Sequence, residues 1–386
     1  MNTARLLTAL LGAMLFLCGP LAEASRPGGG GGGGGGKTPP NPDIWYMSDD
    51  SSTNALWQAA MRGTVLATDG LSGSDITLAK SKAGRVPGAI AWSPDGTKAA
   101  WFEMGLGMVS TPVSIMIGTP GGRGVAVYSS TPDMTPHVSW GADGLAWGTD
   151  CSDPTQSLLV FSAAAEIGHN RIYGIRFKAG KAQPPELIAE WTLTGDGSLS
   201  TWAYAFSPKG QYLAFAGRGD DSTFGIWLMA MCGSSRVQTK LLTAEEIGGY
   251  SGGGDPVTSM DWSRNGDRLA LSVTTSPDID YPWRDLKVVY LDYQFADGTE
   301  QVFSHSSPFL VDLPDLNYPA ASSEHSPQWG PSASGATCQR IAFSQSSDAG
   351  RALFLLDIGA DGKPAGCPIE TPLALPSVWP RALDWR

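Results

Sequence analysis

The sequence predicts an all-β fold in which six four-stranded antiparallel sheets are arranged as a closed ring. Three observations point there. A short unit, an aromatic residue followed by a Ser-Pro-Asp-Gly type of turn, recurs along the chain. Glycine and proline, 49 and 28 of the 386 residues, fall where tight turns are needed. The apolar residues alternate with the period of strands, and no stretch has the periodicity of a long amphipathic helix.

The clearest unit runs from Ala89 to Trp101, with Trp92-Ser93-Pro94-Asp95-Gly96 at its centre. It recurs from Ala203 to Phe215 around Phe206-Ser207-Pro208-Lys209-Gly210, and from Ser259 to Leu271 around Trp262-Ser263-Arg264-Asn265-Gly266. A shorter copy, His137 to Trp147, carries Trp140 before Gly141-Ala142-Asp143-Gly144. A copy with a stretched turn holds Trp329-Gly330-Pro331 and resumes at Arg340 to Phe343. The chain stops at Arg381 to Arg386, one strand into a last copy.

Each copy reads as strand, tight turn, strand. Proline presets φ at the first turn position, Asp or Asn favours the next, and glycine takes the left-handed position that closes the hairpin. The aromatics before the turn, Trp92, Trp140, Phe206, Trp262, Trp329 and Trp385, are expected core anchors. Third strands are expected at Ser114 to Ile117, Phe224 to Met229, Lys287 to Leu291 and Ala352 to Asp357. Asp43 to Ser48 has the pattern of a second strand, and Ala55 to Arg62 and Asp75 to Lys80 can follow as third and fourth. Pairing this N-terminal strand with the C-terminal one closes the ring and removes exposed sheet edges. The expected architecture is a six-bladed β-propeller over residues 43–386. The copies are longer than typical propeller repeats, and the excess is expected in loops at 151–171 and 274–285.

The unit resembles the WD40-like (PD40-type) repeat of the TolB-like propeller family, a repeat shared with the propeller of prolyl-oligopeptidase-type peptidases. The resemblance covers residues 43–386 and implies the fold. It implies only a generic binding role, because the residues that carry it are structural. No α/β domain is expected ahead of the propeller, where TolB has one, so the resemblance is to the propeller domain alone.

Arg5, the apolar run Leu6 to Leu17 and Ala22-Glu23-Ala24 form a secretory signal peptide over 1–24, which places the mature protein in the periplasm or outside the cell. The apolar run is too short to span a bilayer, and no transmembrane segment follows. Leu17-Cys18 makes a poor lipoprotein signal, since a small residue is wanted before the cysteine. Residues 25–42, with glycine from Gly28 to Gly36 and then Pro39, Pro40 and Pro42, read as a flexible linker. The net charge of -11 argues against nucleic acid as a partner.

Cleavage leaves Cys151, Cys232, Cys338 and Cys367, an even number in an oxidising compartment, with no metal-type spacing among them. Cys338 and Cys367 are the expected disulfide, at neighbouring ends of a second and a third strand. Cys151 and Cys232 fall near strand ends that ideal blade geometry puts on opposite faces, and their pairing stays open.

Several motifs invite a catalytic reading and lack its context. Gly249-Tyr250-Ser251-Gly252-Gly253 matches a nucleophile elbow, but that chemistry needs a strand-to-helix turn, and no helix is expected here. Arg218-Gly219-Asp220 reads as a turn between second and third strands. His137 and His325 precede their anchors by offsets of opposite strand parity, and the other copies supply no ligand, so no metal site is assigned. Asp278, Asp280 and Asp285 lack the spacing of a calcium loop. No catalytic residue and no cofactor is assigned.

The residues leading into the first strands are the candidate binding face: His137, Trp202, Tyr250, Asp255, Tyr318, His325, Trp379 and Arg381. The expected role is a monomeric secreted or periplasmic scaffold that recognises an envelope protein or a peptide. The alternative is an enzyme acting on polysaccharide, a lyase or hydrolase, at an axial pocket.

Overall fold

The recurring unit folds as the hairpin its turn residues encode. In a computed structural model of the chain, Ser93 N–H donates to Lys98 O at 2.9 Å and Gly96 N–H donates to Ser93 O at 2.8 Å. The Ser93 hydroxyl then accepts from Lys98 N–H at 3.0 Å and donates to Asp95 Oδ1 at 2.6 Å. Ser207 accepts in the same way from Tyr212 N–H, and Ser263 from Arg268 N–H, each at 3.0 Å. Gly96, Gly210 and Gly266 have φ of 76°, 71° and 78°, the left-handed conformation expected of them. The serine recurs because its short hydroxyl reaches the main chain across the turn. Ser263→Ala orphans the Arg268 N–H in a buried setting and is expected to cost about 1–3 kcal/mol. Chemical denaturation checks this, and Ser93→Ala, whose bonds are only part-buried, should cost less.

The structure describes residues 44–49, 59–66, 73–80, 85–105, 113–119, 124–130, 135–136, 144–164, 169–192, 203–233, 236–248, 257–275, 284–296, 299–306, 309–310, 323–330, 339–347, 350–359, 373–374 and 378–385. The signal-peptide and linker readings, at 1–24 and 25–42, lie outside them.

Strands β1 (Ile44–Asp49), β2 (Ala59–Leu66) and β3 (Gly73–Lys80) begin the first sheet. β4 (Arg85–Trp92), β5 (Ala99–Gly105), β6 (Ser114–Gly118) and β7 (Val125–Ser129) form the next. A third contains β8 (Thr135–Pro136), β9 (Leu145–Thr149), β10 (Ser157–Ala164), β11 (His169–Lys178), β12 (Lys181–Ala182) and β13 (Glu186–Thr192). β14 (Ala203–Phe206), β15 (Tyr212–Arg218), β16 (Phe224–Ala230) and β17 (Gln238–Thr243) follow, with a one-turn helix α1 (Ala244–Ile247) capped by Thr243. Then come β18 (Val257–Trp262), β19 (Arg268–Thr274), β20 (Arg284–Ala296), β21 (Thr299–His305) and β22 (Phe309–Leu310). β23 (Ser323–Trp329), β24 (Gln339–Ser347), β25 (Gly350–Ile358) and β26 (Leu373–Ala374) make another sheet. β27 (Val378–Trp385) returns to the first sheet and pairs antiparallel with β1, Ile44 opposite Trp385 and Tyr46 opposite Leu383.

The all-β propeller class is therefore what the chain adopts. First strands of successive sheets touch in turn, β4 with β9, β9 with β14, β14 with β18, β18 with β23 and β23 with β27, and β27 meets β4. The core lies between sheets rather than within any one. Ala100, Phe102 and Ile115 of one sheet pack on Leu159, Phe161 and Ile175 of the next. Leu158, Val160 and Ile172 pack on Leu213, Phe215 and Met229.

Four expectations need correction. Uniform four-stranded blades hold only in part, because the third sheet has six strands and the sheet begun by β18 has five. In the third sheet the copy assigned to Trp140 is displaced. β10 pairs with β9 at Thr149–Ser157 and also with β8 at Pro136–Ala163, so its partner on that side comes in two separate pieces, β8 and β9. The hairpin turn there is the stretch after Thr149, where Asp150 N–H donates to Gln156 O at 3.1 Å. Gly141 to Gly144 had the right residues for a turn, but the pairing of an eight-residue β10 placed the turn later. Consequently the expected loop at 151–171 is largely strand, β10 and the start of β11. Lastly, β2 covers Ala59–Leu66 rather than Ala55 to Arg62.

The displaced turn also decides the cysteines. First and third strands of a blade run in the same direction, so the turns that follow them share one end. Cys151 follows a first strand, not a second, and Cys232 follows the third strand β16 of the neighbouring blade. The two form a disulfide with Cα atoms 5.1 Å apart. Cys338 and Cys367 lie outside the described residues.

The anchors differ in burial. Trp92, Trp262 and Trp329 are buried. Phe206 is half-buried, its ring over Gly148 of β9, where an added Cβ would come within 2.3 Å. The side chains of Trp140 and Trp385 lie outside the described residues.

Candidate functional site

Where the first strands converge they enclose a cavity of about 710 Å³. Its wall is built from the ends of β4 (Ile90 to Trp92), β9 (Leu145 to Thr149), β14 (Tyr204 to Phe206) and β18 (Met260 to Trp262), with Gln328 from β23. The rim is formed by the hairpin turns, through the exposed residues Pro94, Asp95, Pro208, Arg264 and Asn265. These elements meet because each first strand is the inner edge of its sheet. Alternate residues pack on the two neighbouring sheets, Tyr204 with Ala146 on one side and Ala203 and Ala205 with Met260 and Trp262 on the other, and the strand edge itself faces the cavity.

Several polar groups of the wall and rim are used by the fold. Asp95 Oδ1 accepts from Ser93 Oγ, from Thr97 N–H and from Thr97 Oγ1, the last two at 3.0 Å. Asp261 Oδ2 accepts from Trp329 N–H at 2.7 Å, tying β18 to β23. Trp262 Nε1 donates to Ala205 O at 3.1 Å, and Trp147 Nε1 to Ser157 Oγ at 2.9 Å. These carboxylates hold turns and neighbouring strands together, an arrangement suited to a rigid recognition surface. Among the described residues no group of three or more His, Cys, Asp and Glu could hold a metal ion.

None of the eight residues expected to form the binding face is among the described residues that line this cavity. His137, Trp202, Tyr250, Asp255 and Tyr318 lie outside the described residues. His325 is in β23 opposite Ser344, and Trp379 and Arg381 are in β27. Sequence reasoning treated the turn residues as structural and so passed over the rim they form. The signal available was direction: every first-to-second turn must emerge at the same end of the ring.

Other motifs resolve simply. Gly249 to Gly253 lies outside the described residues. Of the acidic cluster, Asp285 is in β20 opposite Val273, and Asp278 and Asp280 lie outside the described residues. Arg218-Gly219-Asp220 is a turn between β15 and β16, with Ser222 N–H donating to Gly219 O at 2.9 Å. Arg218 O accepts from Trp191 Nε1 at 2.9 Å and from Asn170 Nδ2 at 3.2 Å, which binds this turn to the preceding blade.

Beside that turn, Asp221 pairs with Lys240, whose ammonium sits 4.7 Å over the Trp227 ring. Desolvation pushes the Asp221 carboxyl up, but hydrogen bonds from Lys240 and Thr223 outweigh it and hold the carboxyl below its ordinary value of 3.8. A carboxyl depressed in the folded state stabilises the fold above its unfolded pKa, and that stability is lost as pH falls through the lower folded value. For a side chain this exposed the contribution is about 0.2–1 kcal/mol. Asp221→Asn is therefore expected to lower the melting temperature slightly at pH 5–7 and to be indistinguishable from the parent below the folded pKa. Melting curves across pH check the sign.

No helix among the described residues is long and apolar enough to cross a membrane. No protein-family model and no curated protein matches the sequence. Solved structures do match in fold. TolB from Acinetobacter baumannii superposes with a TM-score of 0.52 at 15% identity, over 89% of this chain and 66% of that one. The chain thus spans just under two thirds of that protein. A putative TolB from Agrobacterium tumefaciens matches at TM-score 0.44 and 17% identity, over 85% of this chain and 87% of that one. A putative 6-phosphogluconolactonase from Bacteroides uniformis matches at 0.46 and 13%, over 86% and 82%. At these identities the likeness to TolB is one of fold.

Proposed function

We propose that this TolB-like propeller is an extracytoplasmic binding scaffold of six blades that recognises a protein or peptide partner at its axial channel. The observation that carries the reading is the cavity itself. It is of a size that admits a chain segment or side-chain cluster, and its carboxylates at Asp95 and Asp261 are already engaged by the turns and by β23. Such a wall favours recognition over acid–base chemistry, which needs groups free to exchange protons. The succession of contacts from β4 round to β27 supports a ring of six. The Cys151–Cys232 disulfide fits an oxidising compartment, in keeping with a signal peptide at 1–24. The face bearing His137, Trp202, Tyr250, Asp255, Tyr318, His325, Trp379 and Arg381 would be the opposite mouth of the same channel.

The test is affinity capture from envelope extract with the mature chain beside an Arg264→Ala/Asn265→Ala variant. A partner retained by the parent and lost by the rim variant supports the reading. Recovery of the same proteins by both variants, together with turnover of a glycan library by the parent, would sink it in favour of a polysaccharide-acting enzyme.

A further inference from the structure

We propose that the Cys151–Cys232 disulfide is a reducible latch across the seam between two blades, opened by an external dithiol of the Cys-x-x-Cys kind. The bond joins the first turn of the β8–β13 sheet to the turn after β16 in the next sheet. Both cysteines are only half-buried, so a reductant can reach them from the rim end.

The seam beneath the bond has its own packing. The Phe206 ring lies over Gly148, and Gly210 approaches the Thr149 carbonyl so closely that an added Cβ would sit 2.1 Å from its oxygen. Ala146, Leu158 and Val160 pack against Tyr204, Leu213 and Phe215 below. Cutting the disulfide therefore frees the two turns while the sheets stay docked. Gly148, Thr149, Phe206 and Pro208 also line the axial cavity, so the latch borders its wall.

Cations bracket the bond. Arg236 Nη1 donates to Met231 O and Gly233 O, on either side of Cys232. Arg176 pairs with Asp150, next to Cys151, and with Glu186. Burial, and then repulsion from Arg176, pushes the Arg236 guanidinium below its ordinary range. An anion formed beside these groups relieves that crowding, and a stabilised thiolate is a better leaving group in thiol–disulfide exchange.

In the exchange, a thiolate of the dithiol attacks one Sγ, and the electron pair of the broken S–S bond leaves on the other, which takes a proton. The reductant's second thiolate then displaces the first cysteine from the mixed disulfide, and that cysteine is protonated in turn. Two electrons and two protons reach Cys151 and Cys232, and the reductant ends as a disulfide.

Amide exchange by mass spectrometry on the mature chain tests this without any ligand, so the latch and the binding reading can fail separately. The comparison is oxidised protein, protein treated with dithiothreitol, and the Cys151→Ser/Cys232→Ser variant, the last isolating this bond from Cys338 and Cys367. Exchange in residues 150–156 and 231–233 should rise about tenfold or more in both altered forms, while β15 and β19 stay protected. Loss of protection throughout the chain would make the bond a fold-wide staple and overturn the proposal. Unchanged exchange in both turns would overturn it as well.

Discussion

Gly210→Ala is expected to destabilise the protein by about 3 kcal/mol, far more than its small change in volume suggests. Two costs add. Gly210 has φ of 71°, where a side chain is strained, and its new Cβ would lie 2.1 Å from Thr149 O and 3.0 Å from Thr149 C. The second cost comes from backbone of the neighbouring blade, which has no rotamer with which to escape. Gly180→Ala separates the two. Gly180 has φ of 73°, but the only atom near its added Cβ is Lys98 Nζ, at 3.7 Å. It should cost about 1 kcal/mol, the conformational term alone. Urea denaturation of both variants measures the difference, and equal losses would mean that the blades do not meet at Thr149.

Trp329→Ala is expected to cost about 3–5 kcal/mol. Trp329 is 1% exposed and belongs to a buried cluster in which Ile341, Phe343 and Phe354 of its own sheet meet Ala270, Leu286 and Val288 of the preceding one. Its removal leaves a cavity that neither sheet can close without moving as a whole. It also uncovers Arg268, whose guanidinium lies 4.7 Å over the Tyr290 ring and 5.9 Å from the Trp329 ring while Nη1 donates to Gly359 O. Phe206→Ala, at the same place in its own copy but half-buried, should cost clearly less. Denaturation midpoints of the two variants provide the comparison.

That contrast shows how far the repeat could be read. Trp329 and Phe206 occupy equivalent positions in the pattern, and the pattern identified both as anchors. It did not rank them, because burial depends on what the neighbouring blade presents. Phe206 faces Gly148, whereas Trp329 shares a buried cluster with three apolar side chains of the preceding sheet and lies beside an arginine. The site was less legible than the core. The hairpin turns were recognised as turns, yet Arg264 and Asn265 were read only for their backbone role, although they stand at the rim of the axial cavity.

Local chemistry settled the hairpins. The Ser93, Ser207 and Ser263 hydroxyls, the left-handed glycines and the strand alternation act within a few residues, so their pattern survives in the order of amino acids. The pairing of β1 with β27 was legible for a related reason, since one terminal strand had the pattern that the other lacked. Pairing across the fold settled the rest. The two-piece partner of β10 at β8 and β9, the turn that carries Cys151, its bond to Cys232, and the end of the ring at which the cavity lies all depend on which distant strand or blade is adjacent. Two stretches of this chain could each have supplied a hairpin turn between residues 141 and 156. Only the hydrogen-bonding partners of β10 chose between them.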